Sequence, residues 1–205
     1  MREITIGKND AGQRLDRFVS KSLPLLPPAL LQKYIRLKRI KRNGKGAKRD
    51  VRLVEGDVLQ LYINDEFFER PTEENAWLKI ATPRLDIVYE DENILLADKK
   101  PGVLCHSAGE WSWDTLISNI QAYLRQSGEW DPKAENAFTP ALCNRIDRNT
   151  GGIVIAAKNA EALRILNDKI RDREIDKAYL CVVCGRPKPA EGRLEGYLFK
   201  DAVKN

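Results

Sequence analysis

An acidic stretch interrupted by a proline divides this chain into two parts of different composition. Residues 66–82 read EFFERPTEENAWLKIAT, with Pro71 near the middle. Linkers between domains are often polar and proline-containing, and a chain of 205 residues can form one large domain or two small ones. The stretch therefore predicts two domains, at residues 1–65 and 83–205, joined by a linker at 66–82.

The positive charge of the chain is concentrated in the first part. Residues 1–65 hold fifteen Lys and Arg against seven Asp and Glu, whereas the remainder holds twenty against twenty-three. The net charge of +5 at pH 7 therefore comes from the N-terminal part. A basic module beside a near-neutral body favours a polyanionic partner, although a solvated basic face would have the same composition.

Composition also narrows the class of protein. The chain is 42% hydrophobic and 32% charged, which is typical of a soluble globular protein. No apolar run approaches the ~18 residues that a membrane span needs. The N-terminus lacks the apolar core of a signal peptide, so we expect a cytoplasmic protein without a membrane partner. The four cysteines are then expected to be reduced thiols.

The N-terminal part combines two helical patterns with hairpin signals. Apolar residues recur at helical spacing in residues 12–23 and again in 29–40, and Asn43-Gly44 is typical of a tight hairpin turn. Between Lys33 and Arg52 there are ten Lys and Arg and one acid, on the second helix and the hairpin. This arrangement suits contacts to a phosphate backbone. The predicted RNA-binding residues here are Lys33, Arg36, Arg39, Lys41, Arg42 and Lys45.

Three blocks of this part resemble a known RNA-binding motif. RLDRFVSKSL, LLQKYIRLKRIKRNGK and LVEGDVLQLY are similar, in this order, to the alpha-L RNA-binding motif of a small-subunit ribosomal protein and several RNA-modifying enzymes. The resemblance covers about 60 residues. It implies a small domain that binds structured RNA.

The second part alternates irregularly between strand and helix patterns. Strands are predicted at DIVYE, ILLADKK, Ile153–Ala157 and KAYLCVVCG, and helices at TLISNIQAYLRQSG and AEALRILNDKIRD, with Asn159 capping the last helix. This order favours an α+β domain with a mixed sheet over a doubly wound fold.

A charged turn precedes the strand at Ile153–Ala157. Asp147 stands between Arg145 and Arg148, and this positive charge favours its ionised form. Such a carboxylate can act as a nucleophile or stabilise a developing cation. From the spacing alone, however, a loop aspartate in an ion pair is the commoner explanation of this pattern.

The sequence around Asp147 resembles the signature of the RluA-type pseudouridine synthases, usually H-R-L-D-R-x-T-S-G-L-L-L-x-A-K. NRIDRNTGGIVIAAK is identical to it at Arg145, Asp147, Arg148, Thr150, Gly152, Ala157 and Lys158. LDIVYEDENILLADKKPGVLCH and KAYLCVVCG are similar to two further blocks of the family, in the same order. The resemblance covers nearly the whole chain.

The resemblance implies an isomerase that converts uridine to pseudouridine in structured RNA, most often large-subunit ribosomal RNA. The uridine is flipped out of its stack, and no metal or organic cofactor takes part. Asp147 is the expected catalytic carboxylate, and Tyr179 is expected against the uracil with a part in proton transfer. Arg145 is expected to fill the space that the base leaves, with Arg148 and Asn144 among the RNA-binding residues.

Two departures from the family pattern bear on activity. Asn144 replaces the usual histidine, and an amide can hydrogen-bond but cannot titrate. A further block, typically T-G-R-T-H-Q-I-R, does not occur before Asn205, so we expect the catalytic domain at 83–205 to be incomplete. The alternative is therefore an RNA-binding protein with an inactive catalytic half. The oligomeric state is left open.

Overall fold

The computed structural model describes residues 1–68, 76–107, 113–193, 195–197 and 199. The chain forms two units, Met1–Glu174 and Ile175–Asn205. The first unit contains the whole predicted N-terminal domain and most of the second, so the predicted domain boundaries stay a prediction. The centre of the predicted linker, residues 69–75, lies outside the described residues, and short 3-10 turns at Asp65–Phe68 and Ala76–Lys79 flank it.

The N-terminal part contains an antiparallel sheet with strand order β1-β4-β2-β3 and two helices. Its elements are β1 (Arg2–Thr5), α1 (Leu15–Ser22), α2 (Pro28–Arg36), β2 (Ile40–Arg42), β3 (Lys45–Gly46) and β4 (Val58–Leu61). The helices bury one apolar face each against the sheet, and Phe18, Leu31, Ile40 and Leu59 lie in the common core. This confirms the predicted helical faces.

The predicted Asn-Gly hairpin is also present. Asn43 and Gly44 join β2 to β3 with φ angles of 50° and 78°. Both values are positive, as a tight hairpin turn of this kind requires. The turn places the basic residues of the β2–β3 hairpin beyond the end of helix α2.

The rest of the first unit forms a second sheet, with strand order β5-β6-β8-β7. Its elements are β5 (Ile87–Glu90), β6 (Ile94–Lys99), α3 (Leu116–Gln126), β7 (Ala141–Leu142), β8 (Gly152–Ala157) and α4 (Ala160–Arg171). Leu95, Ala97, Val154 and Ala156 on the two central strands pack with Leu116 and Ile120 of α3. Asn159 caps α4 as predicted, since its side chain accepts a hydrogen bond from the backbone N–H of Ala162 at 2.9 Å.

The α+β class is confirmed, but the predicted mixed sheet is wrong for the described residues. All strand pairs of the second sheet are antiparallel. The reason lies in the connection from β6 to β8. After α3 the chain first forms β7 at the edge of the sheet, and the turn at 143–151 then reverses it into β8, so that β8 runs opposite to β6.

The predicted strand KAYLCVVCG is wrong for the described residues. Residues 177–185 lie in the second unit and form no ladder with any described residue. Leu180 and Val182 are fully exposed. The alternating apolar pattern is therefore present without the hydrogen-bonded neighbour that a strand requires.

Among the described residues, no helix is both long enough and apolar enough to cross a bilayer.

Candidate active site and nucleic-acid interface

Asp147 lies in the turn between β7 and β8, and its side chain is open to solvent. The backbone N–H of Thr150 donates to the carbonyl of Asp147 at 3.1 Å, which tightens the turn. Asp147, Arg145 and Arg148 are all exposed. Within the described ranges, no residue forms an ion pair with the Asp147 carboxylate. The ion-paired loop aspartate, which the spacing alone favoured, is therefore not what the turn forms.

Arg148 is directed toward a neighbouring turn rather than toward Asp147. Its Nε donates to the carbonyl of Gly102 at 3.1 Å, and the N–H of Gly102 donates back to the carbonyl of Arg148 at 2.8 Å. Gly102 has a φ of +92°, which favours glycine. The turn after β6 and the turn that carries Asp147 are thus hydrogen-bonded to each other in both directions.

A close glycine contact brings the same two turns together. A Cβ on Gly151 would lie 3.2 Å from Cδ of Pro101 and 3.4 Å from the carbonyl oxygen of Lys99. Any larger residue would therefore push the turns apart. On the other side, Sγ of Cys105 lies 3.4 Å from the carbonyl oxygen of Ile146, to which it donates.

The strongest link between the turns is a buried lysine. Lys99 is 1% exposed, and its Nζ donates to the carbonyls of Val103 at 2.9 Å, Arg148 at 3.0 Å and Lys100 at 3.2 Å. An ammonium has three donors, so each of them has an acceptor. Lys99 therefore holds the Asp147 turn to the end of β6 from beneath.

Lys99 was missed in the prediction, although the sequence carries a signal for it. Strand β6 alternates between outward and buried positions, and Lys99 stands in phase with the buried Leu95 and Ala97. A lysine at an inward position of an alternating strand must find acceptors, because a buried charge without partners is very unfavourable. The period of the strand thus predicts an internal role for this residue.

Asn144 is placed by the backbone of β8. Its Oδ1 accepts from the N–H of Ile155 at 2.8 Å, and its Nδ2 donates to the carbonyl of Ile153 at 3.3 Å. The amide thereby extends the β7–β8 ladder by one step into the turn. This contact gives Asn144 a structural task, and its predicted part in RNA binding stays a prediction.

Arg145 lies near the single histidine of the chain. Burial lowers the pKa of His106, and the positive charge of Arg145 lowers it further. The imidazole is consequently neutral at physiological pH, so the exposed Arg145 is the cationic member of this pair.

Tyr179 lies in the second unit and Asp147 in the first. The tyrosine is 61% exposed and belongs to the segment without strand structure. Its predicted catalytic role therefore has no support from local packing and stays a prediction.

A basic groove lies between helix α2 and the hairpin that follows it. Its volume is about 690 Å³, and its cationic lining residues are Lys33, Arg36, Lys38, Lys48 and Arg49. Two of them were predicted. Lys38 reaches the groove because its backbone has a φ of +56° and its side chain crosses Gly46, where a Cβ would lie 3.0 Å from Cγ of Lys38.

The other four predicted cations lie in three different settings. Lys45 is exposed and lines an adjoining groove of about 550 Å³. Arg39 and Lys41 lie over the rings of Tyr34 and Tyr62, at 5.4 and 5.1 Å from the ring centres. Such contacts leave the charge of a cation available to a ligand at one side.

Arg42 is engaged within the protein. Its Nε lies 2.6 Å from Oδ2 of Asp57, whose side chain is 6% exposed. Burial alone would raise the pKa of Asp57, but hydrogen bonds from Val54 and Asn43 and the positive charge of Arg42 hold it below the usual range. The guanidinium thus stabilises the hairpin, and the geometry supports RNA binding by Arg42 less than by Lys33 or Arg36.

Comparison with known proteins assigns the second part of the chain to a family. Residues 93–205 match the model of the RNA pseudouridylate synthase family. This range is more than half of the chain and contains Lys99, Asp147 and Tyr179. The chain therefore belongs to the RNA pseudouridylate synthase family. The basic groove lies outside the matched range, and its resemblance to the alpha-L motif stays a prediction.

Individual relatives agree with this assignment. An uncharacterised RNA pseudouridine synthase of Mycoplasma genitalium is 31% identical over 186 residues, which cover 90% of this chain and 56% of that protein. The ribosomal large subunit pseudouridine synthase C of Rickettsia bellii is 30% identical over 192 residues, which cover 89% of this chain and 59% of that protein. The chain spans about three fifths of the length of the curated relatives it matches.

A solved structure, human RNA pseudouridylate synthase domain containing 4, shares 22% identity with this chain. The match covers 49% of this chain and 34% of that one, with a TM-score of 0.35. A superposition this weak carries no argument about the site.

Proposed function

We propose that this chain belongs to an enzyme that converts uridine to pseudouridine in structured RNA, with large-subunit ribosomal RNA as the first candidate substrate. Asp147 is the proposed catalytic carboxylate. One observation carries the proposal. In a member of the RNA pseudouridylate synthase family, an exposed aspartate without an ion pair among the described residues stands on a turn held by a buried lysine. Relatives named as ribosomal large subunit pseudouridine synthases support the RNA class.

The reaction needs little from the protein beyond position and charge. The bond between N1 of the uracil and C1′ of the ribose breaks, and a bond between C5 and C1′ forms. A proton leaves C5 and N1 gains one, so no oxidant or cofactor enters the balance. An ionised aspartate can attack C1′ or stabilise the positive charge that develops there.

Access to the base sets the second requirement. A uridine inside a helix must leave its stack before Asp147 can reach the ribose. Arg145 is exposed on the same turn and can occupy the vacated space, with its charge near the backbone phosphates. We also propose that Tyr179 lies against the uracil, as the resemblance to the family implies.

The basic groove supplies affinity for the RNA. Lys33, Arg36, Lys38, Lys48 and Arg49 present their charges along one surface, which fits a phosphate backbone rather than single base edges. This contact would be insensitive to sequence and weakened by salt.

The test compares Asp147→Asn with the wild type. Each protein is incubated with ribosomal RNA, and pseudouridine is mapped at nucleotide resolution. Asn has nearly the shape of Asp but lacks its charge, so we expect a loss of at least about a thousandfold in rate. Asp168→Asn, an exposed aspartate on α4, is the matched control and should keep full activity.

One observation favours a second function: Tyr179 is 61% exposed and stands in a segment without strand structure. A protein that binds structured RNA without modifying it would show salt-dependent binding and no pseudouridine. The assay should therefore also include any longer product of the same reading frame. The proposed activity is refuted if neither form makes pseudouridine, or if Asp147→Asn retains full activity.

A further inference from the structure

A set of polar contacts joins the N-terminal module, residues 1–65, to the sheet that carries Asp147. The amide of Asn136 lies at their centre. Its Nδ2 donates to the carbonyl of Thr5 at 2.9 Å and to Oδ2 of Asp10 at 2.7 Å. Asp10 is 2% exposed, so the second bond is formed away from water, where it is stronger and more directional.

Asn9 forms the second contact. Its Nδ2 donates to Oε1 of Glu135 at 2.6 Å, and its Oδ1 accepts from the N–H of Ala160 at 3.2 Å. Ala160 is the first residue of helix α4, where backbone N–H groups have no partner within the helix. The side chain of Asn9 thus reaches two separate elements of the other part.

Arg164, one turn further along α4, forms the third contact. Its guanidinium donates to the carbonyl of Ala11 at 2.8 Å. It also covers Gly12, where a Cβ would lie 3.4 Å from an Arg164 nitrogen, and Gly12 has a φ of +79°. In addition, Ala137 packs against the hydrophobic core of the N-terminal module. Five hydrogen bonds therefore converge on the segment from Thr5 to Ala11, and one apolar contact reaches the core of the same module.

These contacts restrain orientation in a way that a linker alone does not. A flexible connection leaves two domains free to rotate about each other, and small interfaces are the usual reason for relative domain motion. Here the bonds come from two separate elements, the loop at 135–136 and helix α4, and on α4 from two positions one turn apart. Contacts with two elements restrain rotation more than a single point of contact would.

We propose that this polar latch, formed by Asn9, Asp10, Asn136 and Arg164, fixes the basic groove relative to Asp147 and thereby selects the uridine. The inference rests on the proposed function. The groove holds a structured segment of the RNA, and the turn reaches only uridines at one spatial offset from it. The four residues are positioning residues, since none of them touches the reacting atoms.

The test uses the full chain with Asn136→Ala and Arg164→Ala, singly and together. Asn167→Ala on the exposed face of α4 is the matched control. In the double variant, amide hydrogen exchange of residues 5–12 and 134–137 should become at least about tenfold faster, while the amides of β4 and β8 keep their rates. The single Asn136→Ala variant serves if the double variant does not fold.

Two RNA readouts separate orientation from folding. With a long structured RNA, the ratio of target to neighbouring modified uridines should fall at least about fivefold. With a short stem-loop that cannot reach the groove, the rate should equal that of the wild type. In a nucleotide protection assay, the wild type should protect two stretches of the RNA at a fixed spacing, one by the basic groove and one by the Asp147 turn. The double variant should protect only the stretch that the groove contacts.

The outcomes distinguish the latch from the activity. If amide exchange in the double variant becomes faster but site selection and the protection pattern do not change, the latch does not select the uridine. If amide exchange does not change, the latch does not restrain the two parts. Two protected stretches without any pseudouridine refute the proposed activity and support the latch. A wild type that protects only the stretch that the groove contacts overturns the latch.

Discussion

The two parts of the first unit use their positive charges in opposite ways. In the N-terminal groove, Lys33, Arg36 and Lys38 are exposed, and their charges face open space. In the second sheet, Lys99 is buried against three carbonyls and Lys158 is enclosed by carboxylates. Exposed cations can bind a polyanion, whereas buried, fully bonded cations hold the polypeptide in place. The difference indicates that one part is built for binding and the other for precise positioning.

Lys158 is held by two carboxylates and, through one of them, by a tyrosine. Lys158 Nζ lies 2.8 Å from Oε1 of Glu90 and also forms an ion pair with Glu129. The hydroxyl of Tyr123 donates to the other oxygen of Glu90 at 2.9 Å. This network connects the end of β8 to the end of β5, to Tyr123 within α3 and to Glu129 just after α3. It stabilises the sheet at the end opposite to the Asp147 turn.

The largest effect is expected from Lys99→Met. Methionine keeps the length of the side chain but removes all three hydrogen bonds that the ammonium donates to backbone carbonyls, which should lower the free energy of unfolding by about 3 kcal/mol. Because the Asp147 turn loses its support, pseudouridine formation should fall by at least about a hundredfold even under conditions where the protein is folded. Urea unfolding and the rate of modification measure the two effects.

Lys100→Met is the control for this variant. Lys100 is exposed and forms ion pairs with Asp86 and Asp98 at 2.8 Å each. Surface ion pairs contribute little, so its loss should change stability by less than about 1 kcal/mol. If Lys99→Met and Lys100→Met behave alike, the contrast between buried and exposed cations is wrong for this sheet.

A loss of stability with little loss of RNA binding is expected from Lys158→Met. Removing the lysine leaves the partly exposed carboxylates of Glu90 and Glu129 without their shared cation, and should lower the free energy of unfolding by about 1 to 2 kcal/mol. Thermal or urea unfolding measures this change. Lys169→Met, which removes only an exposed pair with Glu174, is the control and should have a small effect.

The pH dependence of stability sharpens the same test. The hydrogen bond from Lys158 is the main reason that the pKa of Glu129 lies below its ordinary value. A depressed carboxyl pKa contributes stability above the unfolded pKa, and this contribution is lost as the pH falls through the folded pKa. The wild type should therefore lose its advantage over Lys158→Met below about pH 4.5. A difference that stays constant from pH 7 to pH 3 would contradict this assignment.

The smallest effect on stability is expected when cations of the basic groove are replaced, and the same change should clearly weaken RNA binding. Replacing Lys33 and Arg36 together by alanine should weaken RNA binding about tenfold at physiological salt and reduce the slope of affinity against salt by about two. Stability should change by less than about 0.5 kcal/mol for each replacement. A salt titration of binding tests this, with Arg171→Ala on α4 as the control cation.

Local patterns explain why much of the fold could be predicted. The helical faces around Phe18 and Leu31, the Asn43-Gly44 turn and the cap at Asn159 all depend on residues close together in the chain. Such interactions are set by side-chain periodicity and backbone preference, which are readable without knowing the neighbours. The Asp147 turn was located in the same way, through a contiguous motif.

Long-range contacts explain what was missed. The period of β6 places Lys99 on the inward face, but only its carbonyl acceptors, one of them 49 positions away, show which segments it holds together. The sequence does not show that Arg42, one of the predicted RNA-binding cations, pairs with Asp57, and its part in RNA binding stays a prediction. KAYLCVVCG has the residue pattern of a strand but forms none in the described structure, because a strand also needs a neighbouring strand to which its backbone can hydrogen-bond.

By itself, the sequence determined the elements, the concentration of charge in residues 1–65 and the position of the candidate carboxylate, Asp147. These properties follow from the order of side chains along a few consecutive turns. Only the tertiary structure decided which cations are exposed and which are held by acceptors within the protein, and that Asn136 and Arg164 join the two parts. Those choices depend on burial and on hydrogen bonds between distant residues, which exist only once the chain has folded.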